Sequence, residues 1–143
     1  MPLFKWIVAG MVFLVTGCLG YSPDAALHSA ANTGNLGTVI QTISEGAKID
    51  SVNEKSQSAL MLAAQGGYTG VVKYLVSRGA NIKQKDATGN TALDLATQAR
   101  KREVVDFLRS HLGLPPLDDK DWMNEIAKPA SEDESSKVRR FSY

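Results

Sequence analysis

Cysteine is almost missing from this chain: there is one, Cys18, in 143 residues. That excludes an internal disulfide and a thiolate cluster for zinc. Histidine is scarce too, and His28 and His111 lie too far apart in sequence for metal-ligand spacing. No charge of one sign prevails, since 16 Lys and Arg face 15 Asp and Glu for a net charge of +1. A nucleic-acid binder would normally carry a basic stripe to follow the phosphates, so that class is not expected. Long apolar runs are lacking as well. Trp6–Val15 is almost wholly apolar but shorter than the roughly 20 residues a spanning helix needs. Carboxylates do cluster at Asp118-Asp119 and Glu132–Glu134, but beside prolines or in a polar tail, where nothing positions them for acid–base work. Gly66-Gly67 stands between helical patterns rather than after a strand, so it does not cradle a phosphate. No catalytic residue, metal ligand, cofactor or small-molecule substrate is expected. Hydrophobic content of 43% and charged content of 22% fit one globular domain with appendages.

The N-terminus has a separate logic. Met1–Lys5 carries one positive charge, the short apolar run follows, and Thr16-Gly17 places small residues before Cys18. That order describes a secretory signal peptide over residues 1–17. Val15-Thr16-Gly17-Cys18 resembles the bacterial lipobox, which implies that Cys18 is lipidated and becomes the first mature residue. Each buried methylene of such acyl chains adds about 0.8 kcal/mol to membrane binding. The resemblance places the protein in the bacterial cell envelope, and Leu19, not being acidic, favours the outer membrane, with the protein facing the periplasm. Residues 18–23 would be a tether. The alternative is a signal peptide or signal anchor with an incidental cysteine.

The body of the chain repeats. A shift of 33 carries Ala26, Leu27, Ala30, Ala31, Gly34 and Gly37 onto Ala59, Leu60, Ala63, Ala64, Gly67 and Gly70. A second shift carries Ala59, Leu60, Leu62 and Ala63 onto Ala92, Leu93, Leu95 and Ala96, and Val71, Val72 and Leu75 onto Val104, Val105 and Leu108. Small residues at Ala59, Ala63 and Ala64 permit a close inner helix, and Val72, Leu75 and Val76 form the apolar stripe of an outer one. Gly66-Gly67 suits a tight turn and Gly79 a left-handed cap. No such unit can bury its apolar face alone, which predicts an all-α solenoid.

These residues resemble the ankyrin repeat, whose period is 33. Ala25-Ala26-Leu27-His28, Ser58-Ala59-Leu60-Met61 and Thr91-Ala92-Leu93-Asp94 stand where that family carries Thr-Pro-Leu-His. The resemblance covers residues 24–113, as units 24–56, 57–89 and 90–113. It implies that His28 bonds locally and holds its turn. Three departures stand out: the tetrapeptide proline is absent throughout, Ser56 replaces the glycine found at Gly89, and Arg100 replaces that of Gly34 and Gly67. The third unit thus reads as a polar terminal cap, with Lys101, Arg102 and Glu103 outward.

In residues 114–143, Leu114-Pro115-Pro116 ends the last helix and 118–127 predicts a capping helix, with Trp122, Met123 and Ile126 on one face. That face either docks on the third unit or recognises a partner. From Pro129 onward the composition predicts disorder.

By resemblance the function is protein–protein interaction by a membrane-tethered module. The partner would meet the loops 48–57 and 81–90 through Lys48, Asp50, Asn53, Glu54, Lys55, Asn81, Lys83, Gln84, Lys85 and Asp86, with Gln65 and Tyr68 adding contacts. An inhibitor or immunity protein that blocks an envelope enzyme or toxin is the alternative.

Overall fold

The computed structural model describes Gly20 and residues 22–127. The expected leader 1–17, Cys18 and the tail beyond Ala127 lie outside the described residues. Seven helices occur among those described: α1 (Pro23–Thr33), α2 (Leu36–Ser44), α3 (Ala59–Gly66), α4 (Thr69–Ser77), α5 (Ala92–Gln98), α6 (Arg102–His111) and α7 (Asp119–Ala127). The β structure described there is an isolated antiparallel bridge between Val52 and Ser58.

Helices α1, α3 and α5 form an inner row, each against the next, and α2, α4 and α6 form an outer one. The inner row packs more closely because buried alanines (Ala31, Ala59, Ala63, Ala64, Ala92 and Ala96) let the helices approach. The stack therefore curves, with the inner helices on its concave side. Between the rows lie Leu27, Leu60, Val72, Leu75, Val105 and Leu108, all buried.

Helix starts follow the sequence locally. Ser58 and Thr91 cap α3 and α5, and at Thr91 the cap is reciprocal: Thr91 Oγ1 accepts from Asp94 N and Asp94 Oδ2 accepts from Thr91 N. The first unit departs. Its helix starts three residues earlier, capped by Ser22 with Pro23 in the first turn, so Ala25–His28 lies inside α1. A proline thus does open one helix, though not the tetrapeptide proline.

Both non-glycine replacements keep the glycine conformation. Gly34 and Gly67 cap their helices with φ of 72° and 79°, and Arg100 adopts φ of 57° at the same place. Ser56 likewise has φ of 57° where Gly89 has 84°. A left-handed backbone costs a residue with a Cβ about 1–2 kcal/mol. Ser56→Gly and Arg100→Gly should therefore each raise stability, by about 0.5–1 kcal/mol once glycine's unfolded-state entropy is deducted. Urea melts will check this, and a drop in midpoint for both would refute it.

The C-terminal helix continues the inner row, packing on α5 where a fourth inner helix would stand. Leu117 and Trp122 pack against the core and Ile126 is half-buried. Met123 does not join them: it is 63% exposed, because α7 touches the stack along one narrow line. Arg102 Nη1 meets Asp119 Oδ1 at 2.5 Å, pinning the start of α7 to the start of α6. That hydrogen bond and the carboxylate's charge, outweighing desolvation, raise the Arg102 pKa above its ordinary value. Lys101, expected outward, instead lays its chain over Gly67.

Candidate functional site

Residues 48–57 and 81–90 project from the helices as two fingers, and hydrogen bonds 23 to 34 residues apart in sequence fix them. Asp24 Oδ1 on α1 accepts from Lys48 N at 2.7 Å. His28 Nε2 donates to Ser51 O at 2.9 Å, so this histidine ties α1 to the first finger instead of holding its own turn. Asp50 Oδ1 accepts from Asn81 N at 2.8 Å, and Gln84 Nε2 donates to Asp50 O at 3.4 Å. Lys48 and Asn81 are one period apart, so a carboxylate from the preceding element holds each finger at the same backbone N–H. Lys83, one period after Asp50, offers no acceptor, and the ladder ends there.

The fingertips are copies of one another. Asn53 Oδ1 accepts from Lys55 N and Gln57 N at 2.9 and 3.0 Å. Asp86 Oδ1 accepts from Thr88 N and Asn90 N at 2.9 and 3.0 Å, and also from Thr88 Oγ1. Burial tends to raise the Asp86 pKa, but hydrogen bonds from the Thr88 hydroxyl and the Asn90, Thr88 and Gly89 backbone outweigh it, and the net shift is downward. Support from Asp86 is therefore fully present above an unfolded-state pKa of about 3.9 and lost as pH falls through the lower folded value. Acid titration by NMR should move the Thr88 and Asn90 amides but not those of Lys55 and Gln57, whose acceptor is a neutral amide. If Asp86→Asn leaves that difference intact, the assignment fails.

The sequence-predicted residues thus divide. Lys48, Glu54, Lys55, Lys83 and Lys85 are exposed. Asp50 and Asn81 are exposed too, but their side chains bond backbone N–H groups of the fingers. Asn53, Gln84 and Asp86, expected to be exposed, are half-buried because they build the finger joints and tips. Tyr68 is half-buried as well. Its ring sits where a Cβ on either Gly34 or Gly66 would fall, which makes it a spacer between the first and second units.

An open groove of about 890 Å³ runs between α1, the first finger and α3. Asp24, His28, Ser29 and Asn32 line it from α1, Val52–Lys55 and Gln57 from the finger, and Leu62 and Gln65 from α3. Val52 is 46% exposed there. Of this lining, the loop reading anticipated Asn53, Glu54, Lys55 and Gln65. The α1 side was missed, although the 33-residue shift that sets Asn32 under Gln65 would have found it. Among the described residues no group of three or more His, Cys, Asp or Glu is placed to hold a metal, and no helix is long and apolar enough to cross a membrane.

The family model described as ankyrin repeats (3 copies) matches residues 27–118, well over half of the chain. This chain belongs to the ankyrin-repeat family. No curated protein matches it. The ankyrin fold is a generic protein–protein interaction module and a non-catalytic one. The matched span opens within α1, runs through the other five repeat helices and stops just before α7, so that helix is an addition to the repeats.

Proposed function

We propose that the chain is a lipid-anchored interaction module of the bacterial envelope, held on the membrane by Cys18 and facing the periplasm, with the outer membrane as its address. It binds a protein partner through the concave face formed by α1, α3 and the two fingers, and it is not an enzyme. The observation that carries this reading is the groove itself, walled on one side by the first finger, which hydrogen bonds to α1 already hold in place. A surface ordered before binding loses little entropy on association, which is what an interaction site requires. Cys18 lies four residues before Ser22, about 14 Å of extended chain, so the first unit and its groove stay close to the lipid.

Charge supports a protein partner with acidic character. The Asp50 and Asp86 carboxylates bond backbone N–H groups of the fingers, while Lys48, Lys55, Lys83 and Lys85 hold their ammonium groups in solvent. Glu54 is the exposed exception. Lys83→Glu with Lys85→Glu should slow association with such a partner about tenfold at low salt, because rim charges act mainly on encounter rates. The melting curve should not move.

Photocrosslinking in intact bacteria tests the whole reading. A crosslinker at Val52 or Lys55 is expected to capture one partner, and one at Gln41 on the outer row none. Capture from Gln41 alone would overturn the concave assignment. Palmitate labelling should disappear in Cys18→Ser, and persistent labelling would refute the anchor.

A further inference from the structure

The outer row changes character along the stack. The first unit places Leu36 and Ile40 where the second has Thr69 and Lys73 and the third has Arg102 and Asp106. Helix α2 carries no charged residue, α4 carries Lys73 alone, and α6 carries Arg102, Glu103, Asp106 and Arg109. Just beyond α2, exposed Glu45 and Lys48 have opposite charges that offset one another. Leu36 and Ile40 remain 37% and 42% exposed. One unit later the place of Ile40 belongs to Lys73, whose ammonium lies 5.8 Å over the Phe107 ring and keeps that surface polar. A terminal unit of a solenoid normally turns a polar outer face to water. The third unit obeys this rule and the first breaks it.

The path of the chain indicates what covers the apolar face. Helices α1 and α2 fold back on each other at Gly34-Asn35, and Asp24 Oδ1 near the start of α1 accepts from Lys48 N just beyond α2. The segment that carries Cys18 therefore joins the fold beside the C-terminal end of α2. Ile40 lies about 6 Å from that end along the helix axis and Leu36 about 12 Å, while Cys18 reaches Ser22 within about 14 Å of extended chain. A lipid on Cys18 and the outer face of α2 can thus rest on one plane. Two half-exposed side chains fall far short of the roughly 800 Å² that each partner of a stable protein pair buries, which argues against a second copy as the cover. They are also too few to hold a free protein on a bilayer. A tethered protein does not need that affinity, because the anchor makes docking an intramolecular step at high effective concentration. Apolar side chains on an uncharged helix face enter the boundary between headgroups and acyl chains without desolvating a charge, whereas Lys73, Arg102 and Asp106 could not.

We propose that the outer face of α2 docks on the lipid surface that anchors Cys18, with Leu36 and Ile40 in the headgroup–acyl boundary. The convex side of the first unit then lies on the membrane, and the concave groove turns away from it towards a partner. The inference rests on the anchor reading above and adds an orientation to it. Because no net charge takes part, docking is insensitive to salt.

The test uses Ser44, Ser77 and Ser110, which hold one equivalent position on the three outer helices, are all exposed, and each donate to the carbonyl three residues back. The full-length chain, processed and acylated in bacteria, is reconstituted in phosphatidylethanolamine–phosphatidylglycerol vesicles with a fluorophore on Ser44→Cys, Ser77→Cys or Ser110→Cys. Cys18 does not react, since its lipid blocks it. Nitroxide-bearing lipids should quench the label at 44 most, at 77 less and at 110 not at all, because successive units lie about 10 Å apart. The order should be the same at low and high salt. Leu36→Thr with Ile40→Lys installs the second unit's own residues and should abolish quenching at 44 while the chain still floats with the vesicles. Ile40→Lys alone should reduce it, and melting curves verify that both variants fold. Equal quenching at the three positions, none at 44, or quenching at 44 that survives the double substitution would each overturn the docking. So would capture of a second copy or another protein by a photocrosslinker at Gln41. Flotation without graded quenching leaves the anchor standing and removes only the docking. A chain that does not float at all removes both.

Discussion

Leu60→Ala should lower the unfolding free energy by about 2–5 kcal/mol, the range for removing a fully buried leucine with partial collapse of the cavity. Leu60 is 1% exposed on α3, and α3 packs against α1, α4 and α5 at once. In a linear stack each unit is stable only through its neighbours, so damage to the central one uncouples both ends. Total stabilities of about 5–15 kcal/mol leave little margin for such a loss. Leu108→Ala is the informative comparison. Leu108 is equally buried, but α6 belongs to the last ankyrin unit and packs only on α5 and α4 among its larger contacts. It should fray the third unit while leaving the first two folded. Urea unfolding combined with hydrogen exchange reads the difference: global loss of protection in Leu60→Ala, loss beyond about residue 90 in Leu108→Ala. A Leu60→Ala midpoint within experimental error of the parent would refute the central role of α3.

Gly34→Ala should be nearly as damaging, at about 2–4 kcal/mol, because two costs coincide there. The position requires a left-handed backbone, and a Cβ would fall on the Tyr68 ring. Two other glycines separate these costs. Gly79 has φ of 89° with open space around its Cβ position, so Gly79→Ala should lose only the conformational cost, about 1–2 kcal/mol. Gly66 has no such backbone requirement, yet a Cβ there also meets Tyr68, so Gly66→Ala should show the steric cost alone. Tyr68→Ala in the Gly66→Ala background should recover part of that loss. Equal midpoints for the Gly34 and Gly79 variants would mean that Tyr68 yields freely and does not space the units.

These two experiments probe features that the sequence reveals to different degrees. Gly34 and Gly67 announce a left-handed turn by themselves, since no other residue adopts it so readily, and Leu60 announces a core position through its place in the period. Their meeting with Tyr68 does not show in any local pattern. Tyr68 follows Gly67 and reads as a turn residue with an outward ring, yet the stacking of α1 on α3 brings Gly34 over it. The same holds for the fingers. Polar residues in a loop look equally free in sequence, but Asp50, Asn53, Gln84 and Asp86 are engaged with backbone groups whereas Lys48, Lys55, Lys83 and Lys85 are not.

What the sequence by itself determined was everything set within one period: the helices, their caps, the turn glycines and the all-α ankyrin stack. Short-range sterics and the spacing of apolar residues fix these, and both act over a few residues. Only the tertiary structure decided that His28 reaches the first finger, that Met123 faces outward, and that the groove lies between α1 and the first finger. Each of these depends on which face one unit turns towards the next. That choice is made by packing between residues tens of positions apart, and no local pattern encodes it.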